Sequence, residues 1–506
     1  MRNQIIAVVL AIFLFGSCTN FDDINTNPDS TTQVSTSMLC TSVVLSMAKF
    51  SGADGKVFIT ESALSKYVGY ANEGQMDAQY NRIGNGSFSA MTILSSIDKM
   101  VQQAAGGANA DAYNGVAKFA RAFLFYRLTM QLGDIPYSEA GKGENDVYKP
   151  AYDNQKDIFL GILSDLEEAD KYFASGGTFT GDPTPYNGNT DKWRRACNAF
   201  ALKVLMSLSN KADDPSLNVK ARFKQVVDKA YLLQESTGFW GLNYSSTNTH
   251  PLYSTSDLFT GKTILSDLLV KNLKSLNDRR LYYYAEPAGA ATTAGKAASD
   301  PNAYVGVDVS MDYTAISADH SAGKYSLINY RYRKEQASEP RSLLTYAEQQ
   351  LILSEAIIRG WINTGTAKGA YEMGVRSALT AMMNVNSTYA HQTPIDQTYI
   401  NGYFVGEAAF KTTPEEQLKQ IWMQRYILNF LVDGITTYFE YRRTGYPVFP
   451  INPATSLNTN NKNGIPLRWL YPISEANYNS KNLTEAVGRQ YDGYDEINKM
   501  MWLLKN

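Results

Sequence analysis

Amphipathic helical patterning recurs along most of the 506-residue chain, and it is clearest over residues 413–447. Thr413, Pro414 and Glu416 provide a helix N-cap, a proline at the first helical position and an acid at the third. This combination predicts the start of a helix. Asp433 and the glycine after it interrupt the apolar periodicity, so the segment is predicted to form two helices joined as a hairpin.

Similar patterning predicts helices in most other parts of the chain. The clearest of these predicted helices cover residues 36–50, 57–70, 90–105, 112–132, 152–173, 221–233 and 263–276. Consecutive helices pair into hairpins at residues 90–132, 152–212, 346–381 and 413–443. Tetratricopeptide-like hairpins bury their apolar faces by stacking on one another. The chain is therefore predicted to be mainly α, as an α-α superhelix with about four tetratricopeptide-like helical hairpins.

The composition changes between residues 238 and 340 to Gly, Ser, Thr, Ala, Asn and Tyr. Only one helix, at residues 263–276, is predicted within this stretch, and residues 285–300 are predicted to be a loop because they are small and polar. Such a stretch is long for a passive connection, and binding groups concentrate in loops held on a rigid scaffold. We therefore expect a loop-rich insertion on the ligand side of a single body, residues 36–506.

The first residues indicate export from the cytoplasm. Arg2 precedes an uncharged apolar run that is too short for a permanent transmembrane helix and has the length of a signal-peptide core. Small residues then stand before Cys18, which favours a lipoprotein signal peptide at residues 1–17 and lipidation of Cys18. An ordinary secretory signal with an incidental thiol is the alternative. Residues 18–35 would form a tether, and two or more acyl chains on Cys18 would hold the protein at a membrane.

The remaining reactive residues form no recognisable catalytic arrangement. Cys40 and Cys197 stand apart from each other and from histidine, which favours two buried thiols, with a bridge between them as the alternative. The adjacent acids Glu167 and Glu168 point about 100° apart on a helix and are predicted to face solvent. No cofactor, no metal site and no enzymatic activity are therefore expected. The net charge of −2 lacks the basic excess that nucleic-acid binding favours, so no nucleic-acid partner is expected.

Five motifs, in chain order, resemble those of a single family. They are GDIPYSEA at residues 133–140, DKW and FALKVL within residues 191–205, NDRRL at 277–281, EYRRTGYP at 440–447 and RWLYPISE at 468–475. Together they are similar to motifs of the SusD/RagB-type proteins, the surface nutrient-binding lipoproteins of Bacteroidetes, and especially of the SusD-like branch. Arg279 replaces the proline of the family's turn, which weakens that turn but not the resemblance.

The resemblance implies a binding protein. Members of the family capture an oligosaccharide, or less often a peptide or another nutrient, and deliver it to a SusC-type TonB-dependent outer-membrane transporter. The implied location is the outer membrane, with a lipid anchor at Cys18 and exposure at the cell surface. Asp22 and Asp23 stand where Bacteroidetes lipoproteins carry an acidic surface-export signal. A tetratricopeptide-like structural scaffold for other surface proteins is the alternative.

Ligand contacts are expected in irregular stretches rather than on helix faces. Tyrosine is abundant, with 34 residues against 21 phenylalanines, and its ring can be buried on one side and wet on the other. Polar and aromatic residues occur together in the break after the second helix and where the composition shifts near residue 240. The predicted ligand-binding residues are Asn72, Gln75, Asp77, Tyr80, Trp240 and Tyr244. Core packing is the competing interpretation for Trp240.

Overall fold

The computed structural model describes residues 34–50, 55–71, 74–253 and 261–505. The predicted signal peptide, Cys18 and most of the tether lie outside these residues. In chain order the α-helices are α1 (Thr36–Ala48), α2 (Gly55–Leu64), α3 (Ile93–Ala104), α4 (Ala110–Leu132), α5 (Gln155–Phe173), α6 (Thr190–Ser207), α7 (Val219–Asp228), α8 (Asp267–Ser275), α9 (Arg280–Tyr284), α10 (Gly289–Thr293), α11 (Tyr313–Ser321), α12 (Arg331–Lys334), α13 (Tyr346–Ile358), α14 (Ala367–Met383), α15 (Gln397–Gly402), α16 (Pro414–Leu428), α17 (Gly434–Thr444), α18 (Ile473–Tyr478) and α19 (Ser480–Tyr491). The prediction of a mainly α fold is confirmed.

Short strands occur in two separate antiparallel pairs. They are β1 (Val68–Tyr70), β2 (Phe239–Leu242), β3 (Thr263–Leu265) and β4 (Arg341–Thr345). Strand β1 pairs with β3, and β2 pairs with β4 in a register that places Leu242 opposite Arg341. Each pair joins residues far apart in sequence, so the strands fasten the region 238–340 to the helical body.

Stacked helical hairpins form the frame of the molecule. Helix α4 packs against α3 and α5, α5 packs against α6, and α13 packs against α14. Helix α13 also contacts α6 and α16, which links the N-terminal and C-terminal hairpins. The helices of the fourth predicted hairpin contact different neighbours, since α16 packs on α13 and α17 packs on α2.

The ends of α16 and α17 follow from local sequence. The Thr413 side chain accepts a hydrogen bond from the Glu416 backbone N–H, and Pro414 occupies the first helical position, as predicted. Helix α16 ends at Leu428, and Asp433 caps α17 by accepting from the Thr436 backbone N–H. Gly445 lies just past α17 with φ of 68°, a conformation that glycine adopts without steric cost.

Residues 440–447 belong to a buried ionic network that joins α13, α16 and α17. The Arg443 guanidinium donates to both carboxylate oxygens of Glu355, at 2.6 and 3.0 Å. Glu440 accepts from Arg443 at 2.7 Å and from Arg425 at 2.5 Å. Glu355 has no exposed surface, so these bonds compensate a charge that water does not reach. This part of the signature is therefore structural.

Two predicted helices begin or end differently in the structure. The helix predicted at 57–70 ends at Leu64, where Lys66 turns the chain with φ of 58° into β1. The helix predicted at 263–276 starts as β3, and Ser266 then caps α8 by accepting from the Leu269 backbone N–H. Both errors have one cause, because the pairing of β1 with β3 is a long-range contact that a local apolar pattern does not reveal.

The region 238–340 is more ordered than predicted. It contains β2, β3 and helices α8 to α12, and α10 lies within the stretch 285–300 that was predicted to be a loop. Helices of four to five residues show no amphipathic period, and tertiary contacts stabilise them rather than propensity. The region therefore contains more helices than the single one predicted, and the prediction of a loop throughout residues 285–300 was wrong.

Both cysteines within the described residues are buried and free, which confirms the interpretation as separate thiols. Burial raises the pKa of the Cys40 and Cys197 thiols well above the ordinary range, so neither is a reactive thiolate. Within the same residues no helix is long and apolar enough to cross a membrane, and no cluster of His, Cys, Asp or Glu has metal-ligating geometry.

Candidate ligand-binding cavity

A cavity of about 1120 Å³ opens between α1, α2, α4 and residues 75–93. Its walls are the C-terminal end of α1, one face of α2, one face of α4 and the side chain of Trp469. Natural ligand pockets have volumes of about 300–1000 Å³, so this cavity can hold a ligand of several rings. Apolar and polar side chains alternate around it, which suits a ligand with both kinds of surface.

Two of the predicted ligand-binding residues, Gln75 and Asp77, line this cavity and are exposed. Arg82 donates two hydrogen bonds to Asp77, at 2.9 and 2.7 Å, and also lines the cavity. Tyr80 follows on the same segment but is buried, with its hydroxyl donating to the Met311 carbonyl at 2.9 Å. The Tyr80 ring therefore anchors the segment from behind while Gln75 and Asp77 face the opening.

Lys66 fixes the same segment from inside the protein. Its ammonium donates to the Gln79 carbonyl at 2.5 Å and to the Asn81 side chain at 2.7 Å. The Gln79 side chain accepts from the Tyr70 backbone N–H and donates to the Val309 carbonyl. Burial lowers the pKa of Lys66 to about 7. Burying the Lys66 ammonium costs free energy, and the hydrogen bonds that it makes hold the cavity rim in a rigid position.

Trp469 provides aromatic surface in the cavity, together with Phe50 and Phe123. Its backbone N–H donates to the Gln131 carbonyl, and its ring packs edge-on against Tyr438 with centroids 5.4 Å apart. The side chain is only half-buried, so part of the ring faces the open space. Trp469 belongs to the motif at residues 468–475 and was not among the predicted ligand-binding residues. Its neighbourhood in sequence gave no sign of its exposure.

The inner end of the cavity is charged. Arg127 forms an ion pair with the buried Asp433 at 3.1 Å. Arg341 is buried, with 5% of its surface exposed. Its Nε and Nη1 have no hydrogen-bond partner among the described residues. Burial raises the pKa of Glu61, and the nearby Arg341 guanidinium opposes that shift. These side chains were not predicted, because they come from four separate parts of the chain: α2, α4, β4 and the start of α17.

Trp240 and Tyr244 do not reach this cavity. Trp240 has no exposed surface and packs against Trp193, Phe119 and Phe123, with ring centroids 5.1 to 5.8 Å apart. Its ring offers no face to a ligand, so the core interpretation describes its place in the structure. Tyr244 is buried too; burial raises its pKa and the adjacent Arg341 opposes this. Tyr244 therefore lies one layer behind the wall.

Helix faces contribute more to the cavity than expected. Lys56, Thr60 and Glu61 project from one side of α2, and the α4 residues that line the cavity recur at helical spacing. The expectation of a surface built only from irregular stretches does not describe this cavity. Lys56 and Thr60, at i and i+4 in α2, with Glu61 beside them, are a signal that could have indicated an exposed face. The predicted residue Asn72 lies outside the described residues.

A second cavity of about 640 Å³ is lined by the region 238–340 together with α13 and α14. Phe239 and Tyr346 provide aromatic surface, and the buried Arg280, which pairs with Asp278 at 2.6 Å, lies at its wall. The described residues of the region 238–340 thus border this smaller cavity, and none of them lines the larger one. The two cavities are alternative locations for a ligand.

The sequence profile of the SusD-like family described as "Starch-binding associating with outer membrane" matches residues 28–472. This match spans most of the chain, so the protein belongs to that family, and the resemblance found from the motifs is confirmed. No curated protein sequence matches the chain.

Solved structures agree with this assignment. A SusD homologue from Bacteroides fragilis NCTC 9343 is 37% identical, with a TM-score of 0.88 over 93% of this chain and 100% of its own. A second SusD homologue from the same strain is 32% identical, with a TM-score of 0.81 over 94% of this chain and 100% of its own. A chitin-binding SusD homologue from Flavobacterium johnsoniae is 19% identical and has the same fold, with a TM-score of 0.71 over 93% and 99% of the two chains.

Proposed function

We propose that this protein is a cell-surface nutrient-binding lipoprotein that captures an oligosaccharide in the larger cavity. The observation that carries the proposal is the combination, around one opening, of the half-buried Trp469 ring with the polar side chains of Gln75, Asp77 and Gln131. A sugar ring has an apolar face that stacks on an aromatic ring and hydroxyl groups that bond to amides and carboxylates. The cavity provides both kinds of contact.

Binding without chemical conversion fits the geometry of the cavity. Glu61 and Asp77 both line it, but Asp77 is held in an ion pair with Arg82 on the exposed rim, whereas Glu61 lies at the charged inner end. Glycoside hydrolysis uses two carboxyl groups that flank one bond, with one raised and one ordinary pKa. Because Asp77 lies on the exposed rim and Glu61 at the inner end, the two acids do not flank one bond, and we infer a binding role.

Delivery to a transporter completes the proposed role. Lipidation at Cys18 would attach the protein to the outer membrane, and residues 18–35 would give the body reach at the cell surface. A tethered binder raises the local concentration of its ligand, and a SusC-type TonB-dependent transporter supplies the pore. A cavity that is open to one side can release its ligand into such a partner. A peptide or another nutrient in place of the oligosaccharide is the alternative ligand.

Growth and binding measurements test this role. Deletion of the gene should slow growth on the cognate glycan, and the lipidated protein should co-purify with a large outer-membrane β-barrel under gentle detergent extraction. Trp469→Ala should lower glycan affinity by about 2- to 13-fold, because one stacking contact contributes about 0.5–1.5 kcal/mol. Trp502→Ala is the matched control, since Trp502 is also half-buried but packs on Phe159 away from the cavity.

Three results would reject the proposal. They are normal uptake in the deletion strain together with isolation of a free monomer, equal glycan affinity in the Trp469→Ala and wild-type proteins, and release of new reducing ends from the bound glycan. The first favours a structural scaffold, the second a different binding site, and the third an enzyme.

A further inference from the structure

The larger cavity carries a local excess of positive charge on a protein whose net charge is −2. Among the described residues that line it, the cations are Lys49, Lys56, Arg82, Arg127 and Arg341, and the carboxylates are Glu61 and Asp77. Two of the cations are already matched, because Arg82 pairs with Asp77 and Arg127 pairs with Asp433. The surplus therefore lies inside the cavity and does not reflect a generally basic surface.

Three cations and one carboxylate, Glu61, remain once these pairs are removed, and Glu61 lies near the Arg341 guanidinium. Lys49 and Lys56 are exposed at the opening, near the end of α1 and the start of α2. Arg341 lies deeper, with its guanidinium 5.4 Å from the centroid of the Phe50 ring. The cations thus run from the opening to the inner wall. Such an arrangement attracts an anionic ligand and then holds one of its charged groups.

The buried guanidinium of Arg341 is the strongest evidence for an anionic ligand. A buried polar group without a hydrogen-bond partner costs about 1–3 kcal/mol, and more when it is charged. Nε and Nη1 of Arg341 both lack a partner among the described residues, although the side chain is buried and borders the cavity. The pairing of β4 with β2 fixes the backbone of Arg341, so the side chain is held in place rather than free to turn toward solvent. Nε and Nη1 lie on different edges of the guanidinium, so a ligand oxygen would satisfy one of these donors and not both.

We propose that the cavity selects oligosaccharides that carry anionic groups, carboxylate or sulfate, and that Arg341 is the residue that recognises them. This inference rests on the proposed function and adds the ligand class to it. A guanidinium donates two parallel hydrogen bonds to a carboxylate or a sulfate. A hydrogen bond from the guanidinium to a neutral hydroxyl is weaker. Trp469 would stack on a neighbouring sugar ring, and Lys49 and Lys56 would face further anionic sugar units of the oligosaccharide.

Titration calorimetry with paired polymers tests the ligand class. The probes are oligomers of polygalacturonate and the same oligomers after reduction of their carboxyl groups, with chondroitin sulfate and desulfated chondroitin as the second pair. The wild-type protein should bind at least one acidic member about 10-fold or more tightly than its neutral partner. That affinity should fall as salt rises, because exposed charges are screened.

Substitutions then locate the recognition. Arg341→Gln should weaken binding of the acidic member about 10-fold and change binding of the neutral partner less than about 2-fold. Lys56→Gln, on the exposed rim, should weaken the acidic member less than Arg341→Gln does and cannot act by unfolding the core. Arg376→Gln is the matched control, because Arg376 also lies over a phenylalanine ring, Phe404, but outside the cavity. It should bind like wild type.

Several results would overturn the proposal that the cavity selects anionic oligosaccharides. Equal binding of acidic and neutral members, tighter binding of the neutral members, or no binding of any of the four probes would overturn it. Unchanged acidic binding in both Arg341→Gln and Lys56→Gln would overturn it as well. Tight binding of neutral oligomers that is lost in Trp469→Ala would uphold the proposed function while rejecting anionic selectivity, so the two failures are distinguishable.

Discussion

Replacing Arg443 with methionine should destabilise the fold strongly without altering the ligand cavity. Arg443 donates to both oxygens of Glu355, at 2.6 and 3.0 Å, and to Glu440 at 2.7 Å. Methionine keeps much of the side-chain volume and removes these three bonds and a fourth, from Arg443 to the Ser209 hydroxyl at 3.1 Å. Neither Arg443 nor Glu355 lines the larger cavity, so any effect on the protein should come through stability.

The loss in free energy of unfolding depends on the hydrogen bonds that Glu355 keeps after the substitution. Hydrogen bonds to charged groups contribute about 1.5–3 kcal/mol each, and removing one partner of a buried ion pair costs about 3–5 kcal/mol. After the substitution Glu355 still accepts from Arg359 at 2.9 Å and from Trp422 at 3.0 Å. We therefore expect the free energy of unfolding to fall by about 3–4 kcal/mol, in the lower part of that range.

Urea unfolding followed by far-UV circular dichroism measures this loss. Arg359→Met is the control, because Arg359 bonds to the same carboxylate but is 26% exposed, and an exposed pair contributes about 0.2–1 kcal/mol. If Arg443→Met costs no more than Arg359→Met, the network is not a principal source of stability and the reasoning fails. The reasoning also fails if Arg443→Met lowers the free energy of unfolding by less than about 1 kcal/mol.

The effect should also depend on pH. Burial by itself would raise the pKa of Glu355, but the Arg443 guanidinium and its neighbours outweigh burial and lower the pKa from 4.5 to about 2. A carboxyl with a lowered folded-state pKa stabilises the fold above its unfolded pKa, and this stability is lost as the pH falls through the folded value. The difference between wild type and Arg443→Met should therefore narrow as the pH falls from 4.5 to about 2. A difference that stays constant over that range would contradict this cause.

Three further substitutions test separate parts of the account. Cys18→Ala should release the protein from the membrane fraction, and continued lipid labelling of that variant would contradict the anchor assignment. Trp240→Ala should lower the free energy of unfolding by about 3–5 kcal/mol through loss of core packing, and an affinity loss in a protein of unchanged stability would instead support its ligand role. Gly133→Ala should destabilise by about 2 kcal/mol or more, because Gly133 has φ of 85° and an added Cβ would lie 1.9 Å from the Gln490 side-chain oxygen; unchanged urea unfolding would contradict that clash.

Helix boundaries were predictable where their causes are local. Thr413 caps α16 and Gly445 ends α17 through contacts within a few residues, and sequence alone predicts such contacts. The end of α2 was not predictable in this way. Leu64 is followed by a turn at Lys66 that depends on hydrogen bonds to the segment 79–81 and on the pairing of β1 with a strand nearly two hundred residues later.

The cavity was harder to predict than the fold, and two tryptophans show why. Trp240 and Trp469 both stand beside apolar neighbours in sequence, yet Trp240 has no exposed surface and Trp469 is half-buried at the cavity. Burial of a large ring depends on which elements pack over it, and that is a tertiary property. Gln75 and Asp77 were identified because they lie in a polar break between helices, where exposure can be inferred locally. Arg341 had no such signal, since only the packing of β4 deprives it of partners.

A crystal structure of the mature protein with a bound cognate oligosaccharide is the most direct test of the central claim. The account predicts sugar density in the larger cavity, with one ring stacked on Trp469 and polar contacts to Gln75 or Asp77. Density in the smaller cavity beside Phe239 and Tyr346, with the larger cavity empty of sugar, would contradict it.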